Sequence, residues 1–94
     1  MDAPVALRNR RQERQLVIEW AAGECAELSH ARLRAACPCS QCRAARLGGR
    51  IAVVDEQVQI TAINAQGYGV QLVFSDGHER GIYPWVYLRE LSVA

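Results

Sequence analysis

Short stretches of alternating apolar and polar residues recur along the chain, broken by polar or glycine-bearing turns. Val5 to Arg8, Gln15 to Trp20 and Glu24 to Leu28 each carry the period of a half-buried strand, separated by Asn9 to Arg14 and by Ala21-Ala22-Gly23. The first third is therefore expected to be a β-meander. Ser29 is suited to accept a backbone N–H as an N-cap, so a short helix is expected from His30 to Ala36, with Leu33 facing the core beside Leu28 and Pro38 ending it. Arg43 to Leu47 reads as one more helical turn, stopped by Gly48-Gly49. Beyond it, Val58 to Ile63 places Val58, Ile60 and Ala62 on one face, and Tyr68 to Phe74 does the same with Tyr68, Val70, Leu72 and Phe74. A turn with Asn64 and Gly67 pairs these two strands antiparallel. Ser75-Asp76-Gly77-His78 reads as a second turn, Arg80 to Tyr83 as a last short strand, and Pro84 as the first position of a closing helix over Trp85 to Leu91. The expectation is an α+β domain, sheet-dominated, with antiparallel strands, two short helices and a cysteine-bearing knuckle. No repeat or linker divides it, so residues 1–94 read as one domain.

Length narrows the function classes: 94 residues allow a modest core but no large catalytic cleft. Half of them are apolar and 22% are charged, which is the balance of a folded chain. The formal net charge of +1 argues against a dedicated nucleic-acid binder. Arg8, Arg10, Arg11 and Arg14 cluster at a turn, but Glu13 sits among them and a solvated turn explains them. The beginning, Met1-Asp2-Ala3-Pro4, lacks the basic and apolar segments of a signal peptide, and no apolar run approaches the roughly 18 residues of a membrane span. A cytoplasmic protein with no membrane partner is expected. In a reducing compartment, clustered cysteines point to metal or redox chemistry rather than to disulfides.

Three of the four cysteines lie in Cys37-Pro38-Cys39-Ser40-Gln41-Cys42. A Cys37–Cys39 disulfide would close a very tight ring around the stiff Pro38. A Cys39-x-x-Cys42 redox pair would be expected at a helix N-terminus, whereas here the pair follows a helix end. Cys25, alone in a strand, reads as a buried structural cysteine. Zinc needs soft ligands converging about 2.3 Å from each sulfur, and an irregular loop aims three thiolates inward more easily than a helix or strand. Zinc takes four ligands, and the imidazoles available are His30 and His78, with acids as alternatives. His78 is preferred: Gly77 frees its turn, and a ligand from the second half of the chain staples the two halves. On spacing alone, an exposed turn is the commoner fate of His78, and a solvated helix face that of His30. Three thiolates, a neutral imidazole and zinc sum to about one negative charge, and Arg32, Arg34, Arg43 and Arg46 flank the cluster to offset it.

Trp20 with Gly23, Leu33-Arg34 before Cys37-Pro38-Cys39 and Cys42, Gly67-Tyr68, Ser75-Asp76-Gly77-His78, Gly81-Ile82-Tyr83 and Trp85 together resemble the N-terminal domain of gamma-butyrobetaine hydroxylase. That domain also occurs as a stand-alone bacterial protein, the DUF971 group. The resemblance spans Pro4 to Leu91. It implies a structural zinc on Cys37, Cys39, Cys42 and His78. Ala22 replaces a frequent Asp and Phe74 a common Trp, changes that bear on packing. The hydroxylase's catalytic iron site, a His-x-Asp pair with a distant His, has no counterpart: His30 is followed by Ala31-Arg32 and His78 by Glu79-Arg80.

Related domains are also fused to ATPases implicated in iron-sulfur assembly, which implies an alternative role as an iron or iron-sulfur carrier. The phosphate-binding Gly-x-x-x-x-Gly-Lys-Ser/Thr loop is absent, and the chain has no lysine to build it. With two histidines there is little from which to assemble a nucleophile system. The reading is a non-enzymatic metal-binding domain that docks another protein, with self-association open. Trp85 is expected in the core; Tyr87 is as compatible with an exposed aromatic platform as with packing.

Overall fold

In the computed structural model, which describes residues 3–50 and 54–93, the alternating segments form two three-stranded antiparallel sheets. The first is the expected meander, β1 (Ala6–Arg10), β2 (Gln15–Glu19) and β3 (Cys25–Ser29), side by side in chain order. Leu7 stands opposite Ile18 and Leu16 opposite Leu28, so the large apolar residues share a face. The second sheet is β4 (Ile60–Ala65), β5 (Gly69–Phe74) and β6 (Ile82–Pro84), again in chain order. Between the sheets run α1 (His30–Ala35) and α2 (Ser40–Leu47), and α3 (Trp85–Val93) closes the fold.

One core joins the two sheets: Leu16, Ile18 and Leu28 pack with Ile60, Leu72, Phe74, Tyr83 and Leu88, all at most 2% exposed. Leu33 and Trp85 belong to it as expected. Ile60 is a polar junction as well. Its N–H donates to His30 Nδ1 at 3.0 Å, and its carbonyl accepts from Asn9 Nδ2 at 2.8 Å. His30 is thus fully buried and cross-links the sheets, where a solvated helix face was expected. The reason lies one residue earlier: Ser29 caps α1 through Arg32 N–H, and the N–H of His30 is held by the Arg14 carbonyl at 2.8 Å, which directs the first side chain of the helix inward.

Other expectations shift for identifiable reasons. Ala62 is exposed, because a register irregularity between Ile60 and Ala62 inserts an extra residue and brings Ile63 opposite Leu72. Tyr68 is 52% exposed and precedes β5, which starts at Gly69, where a Cβ would approach the Tyr83 carbonyl oxygen to 2.3 Å. Cys25 is exposed at the start of β3, an outer strand of its sheet, instead of buried. The last strand is displaced to Ile82–Pro84, so Pro84 ends a strand and α3 begins immediately after it. Among the described residues three α-helices are present where two and a knuckle turn were expected, since that turn extends back to Ser40.

Candidate metal centre

The cysteine cluster sits where one helix stops and another starts. α1 ends as the Cys37 N–H bonds to the Arg34 carbonyl at 3.2 Å, which leaves the Cys37 thiol buried beneath the chain reversal. Pro38 then extends the backbone, and Cys39 becomes the N-cap of α2: its sulfur accepts from the Cys42 N–H at 3.4 Å. The Cys39-x-x-Cys42 pair therefore does lie at a helix N-terminus, a correction that follows from the cysteine serving as the cap.

The fourth side chain arrives from the second sheet. β5 gives way to the Ser75 to His78 turn, in which Gly77 adopts φ +86, a value favouring glycine, and Asp76 Oδ1 accepts the His78 N–H at 3.0 Å. This aims His78 Nε2 at the sulfurs of Cys37, Cys39 and Cys42, 3.0, 3.6 and 3.7 Å away. All four potential ligand atoms lie within 4.8 Å of one another. A tetrahedral zinc with ordinary bond lengths sets sulfur–nitrogen separations near ~3.6 Å and sulfur–sulfur separations near ~3.8 Å. The donor set is thus near coordination spacing: the Cys39 and Cys42 sulfurs already stand at it from Nε2, and the Cys37 sulfur would move outward by about half an ångström.

Arg34 ties the two parts of the centre. Its Nε donates to Asp76 Oδ2 at 2.9 Å and its Nη1 to the Cys42 sulfur at 3.6 Å. Of the four flanking arginines, Arg34 is the one seen on a ligand sulfur; Arg32 reaches the Leu91 carbonyl and Arg46 the Ala35 carbonyl. Burial on its own raises the Asp76 pKa, but the His78 N–H and Arg34 outweigh it and keep the carboxylate ionised. Burial lowers the His78 pKa, and Arg34 and Arg80 push the same way against Asp76, so the imidazole is held in the neutral form that binds metals.

The thiols divide. Burial pushes Cys37 up to about 12, helped by neighbouring Cys39 and Cys42. For Cys39 burial is outweighed by hydrogen bonds from Cys42 and Gln41 N–H groups and from the Cys37 side chain, and its pKa falls. A bound divalent cation would favour the ionised form of the buried Cys37 sulfur against that burial.

The structure thus gathers Cys37, Cys39, Cys42 and His78, and leaves His30 and Cys25 outside the cluster. Two supporting residues had no assigned role in the sequence. Asp76 was legible only as a turn residue, although Asp-Gly-His is the pattern of a side chain capping its own turn. Gly81 approaches Cys37 so closely that a Cβ there would lie 2.8 Å from its sulfur. The remaining candidates are structural: Tyr87 donates its hydroxyl to the Ala36 carbonyl at 2.6 Å, and Arg8 of the basic hairpin pairs with Glu19 at 2.9 Å.

Residues 7–89 match the family described as gamma-butyrobetaine hydroxylase-like, N-terminal. The crystal structure of a DUF971-family protein of unknown function from Acidithiobacillus ferrooxidans is similar over 97% of this chain and 93% of that one, at 35% identity and a TM-score of 0.83. A protein solved by NMR in solution is 33% identical, with a TM-score of 0.77, over 99% of this chain and 70% of that one. A second solution structure, at 24% identity and a TM-score of 0.75 over 99% of this chain and 74% of that one, shares the fold. No curated protein matches the chain. Among the described residues no helix is long and apolar enough to cross a membrane.

Proposed function

The chain belongs to the gamma-butyrobetaine hydroxylase-like N-terminal family, and we propose that in this member Cys37, Cys39, Cys42 and His78 hold a structural zinc ion on a non-catalytic module that docks another protein. The observation that carries the reading is the convergence of those side chains from both halves of the chain to within 4.8 Å. Three thiolates and a neutral imidazole satisfy a tetrahedral zinc completely, and a closed shell is the mark of structural rather than catalytic sites. Arg34 offsets the remaining negative charge. An iron-sulfur cluster more often takes four thiolates, so the imidazole favours a single ion. A site of this kind suits the reducing cytoplasm, where its thiols stay available.

Metal analysis and an absorption spectrum on anaerobically purified protein test the metal. One colourless zinc per chain is expected; iron with visible sulfur-to-iron charge transfer would replace this reading with that of an iron carrier. The docking role is tested by crosslinking and pull-down from the native cell, with Cys39→Ser as control. Absence of any partner that needs the intact site would refute it.

A further inference from the structure

Beside the metal centre, Pro38, Arg43, Arg46, Leu47, Pro84 and Tyr87 enclose a groove of about 480 Å³. α2 forms one wall, yet none of its residues is buried, and Leu47 at its end is 79% exposed. A large apolar side chain left that open, on the rim of a concave surface, gains most by being covered by something else. The opposite wall is firm. Tyr87 is anchored through its hydroxyl on the Ala36 carbonyl, and the prolines restrict the backbone on either side.

Charge defines what fits. From Glu27 to Asp55 the sequence has no intervening acidic residue, although Arg43, Arg46 and Arg50 fall in that stretch. Among the described residues neither Arg43 nor Arg46 forms an ion pair, and the charge of the metal ligands is met by Arg34. Arg46 is positioned by one hydrogen bond to the Ala35 carbonyl at 3.1 Å, which leaves other guanidinium N–H groups free for a carboxylate.

We propose that this groove is the docking site for an extended segment of a partner protein in which a carboxylate side chain neighbours a large apolar one. The carboxylate meets Arg43 and Arg46, and the apolar side chain packs on Leu47, Tyr87 and the prolines. This rests on the docking-module reading above and supplies its chemistry. It also couples the groove to the metal. Cys39 caps α2 and Cys42 lies in its first turn, so the chelate fixes the helix that carries Arg43, Arg46 and Leu47.

The test is an amide-resolved NMR titration of the zinc-loaded protein with a blocked octapeptide of alternating glutamate and leucine. Three controls accompany it: the lysine-for-glutamate counterpart, a short single-stranded oligonucleotide, and the acidic peptide after chelation. Shifts centred on Arg43, Leu47 and Tyr87 are expected, with the lysine peptide weaker by about tenfold or more. Arg43→Gln and Leu47→Ser, both at exposed positions, should each weaken binding about fivefold or more at unchanged zinc content. Equal binding of the two peptides, or tighter binding of the oligonucleotide to the same residues, overturns the proposal. So does the absence of peptide binding at millimolar concentration. Peptide shifts elsewhere on the surface, or a pulled-down partner indifferent to Arg43→Gln, overturn the groove while the docking reading stands. Failure of the unsubstituted protein to capture any partner overturns both.

Discussion

Arg34 donates through Nε to Asp76 and through Nη1 to the Cys42 sulfur, so one planar cation reaches both halves of the metal centre. Lysine, whose N–H groups all sit on one nitrogen, cannot reproduce the spaced planar fork that meets the two acceptors from separate nitrogens. Arg34→Lys should lower zinc affinity about 10- to 100-fold, the usual effect of removing a partner of the ligands. Competition against a chromophoric chelator measures it, and an unchanged affinity would deny Arg34 this role. His30 works by different means. Burial lowers its pKa from 6.5, Arg11 and Arg14 push the same way, and the Gln15 backbone opposes them. The unfolded chain therefore binds the proton more readily than the folded one. Stability owed to neutral His30 is complete above about pH 6.5 and is lost as pH falls through the lower folded value. Protonation would also turn Nδ1 from the acceptor of the Ile60 N–H into a competing donor. His30→Asn retains an acceptor but leaves a void, so it should cost about 2 kcal/mol at neutral pH and flatten the loss of stability between pH 7 and 5. Denaturant melts of both proteins across that range check the difference. At this scale the sequence was most and least informative. Cysteines in one loop announce their chemistry by crowding, whereas the burial of His30 involves the Arg14 carbonyl and the Ile60 N–H, both distant in the chain, and the exposure of Cys25 goes with its place on an outer strand.

Elements meet the metal centre unequally. β6 is led in by Gly81, where a Cβ would lie 2.8 Å from the Cys37 sulfur and 3.0 Å from the ring of Tyr83. Tyr83 is fully buried and cannot retreat, so the sulfur must move. Gly81→Ala should therefore weaken zinc binding by about tenfold or more, corresponding to the ~1–3 kcal/mol of overpacking, while far-ultraviolet circular dichroism keeps its sheet signal. Gly69→Ala makes the contrast: its Cβ would strike the Tyr83 carbonyl oxygen at 2.3 Å and disturb the β5–β6 pairing itself. It should lower the thermal midpoint with or without metal. A midpoint lowered only in the zinc-loaded form would refute that distinction. Strand existence and order were legible from period-two alternation and turn residues. The register irregularity between Ile60 and Ala62 was not, because an inserted residue reverses the outward face without altering composition. Nor was the full length of α2, whose cap is a cysteine sulfur rather than the oxygen that marks most helix starts.

For the molecule as a whole, the proposed zinc divides the elements into those that need it and those that do not. The sheets are joined independently of it, through the shared core and through Asn9, Gln59 and His30, which bridge the first sheet and its hairpin to the Ile60 region at 2.8 to 3.0 Å. α2 has no comparable support: it buries no residue and is tied down by its cysteines and by Arg46 on the Ala35 carbonyl. From Asp76 to His78 the following turn is likewise held against the knuckle by His78 and by Asp76 on Arg34, while Ser75 is fixed separately to Gln59, donating its N–H at 2.8 Å and accepting the Gln59 N–H on its hydroxyl at 2.9 Å. Removal of zinc should thus release α2 and that turn while the two sheets persist. Hydrogen exchange should show lost protection at residues 40–47 and 76–79 and retained protection in β2 and β5. Zinc kept free at a thousand times its dissociation constant adds about 4 kcal/mol to the stability of a protein that binds it only when folded. At about 4–8 °C per kcal/mol for a chain of this size, stripping should lower the thermal midpoint by roughly 15–30 °C. A midpoint unmoved after the metal has demonstrably gone would mean that the core alone determines stability, and that the four side chains are gathered for something other than stapling the fold.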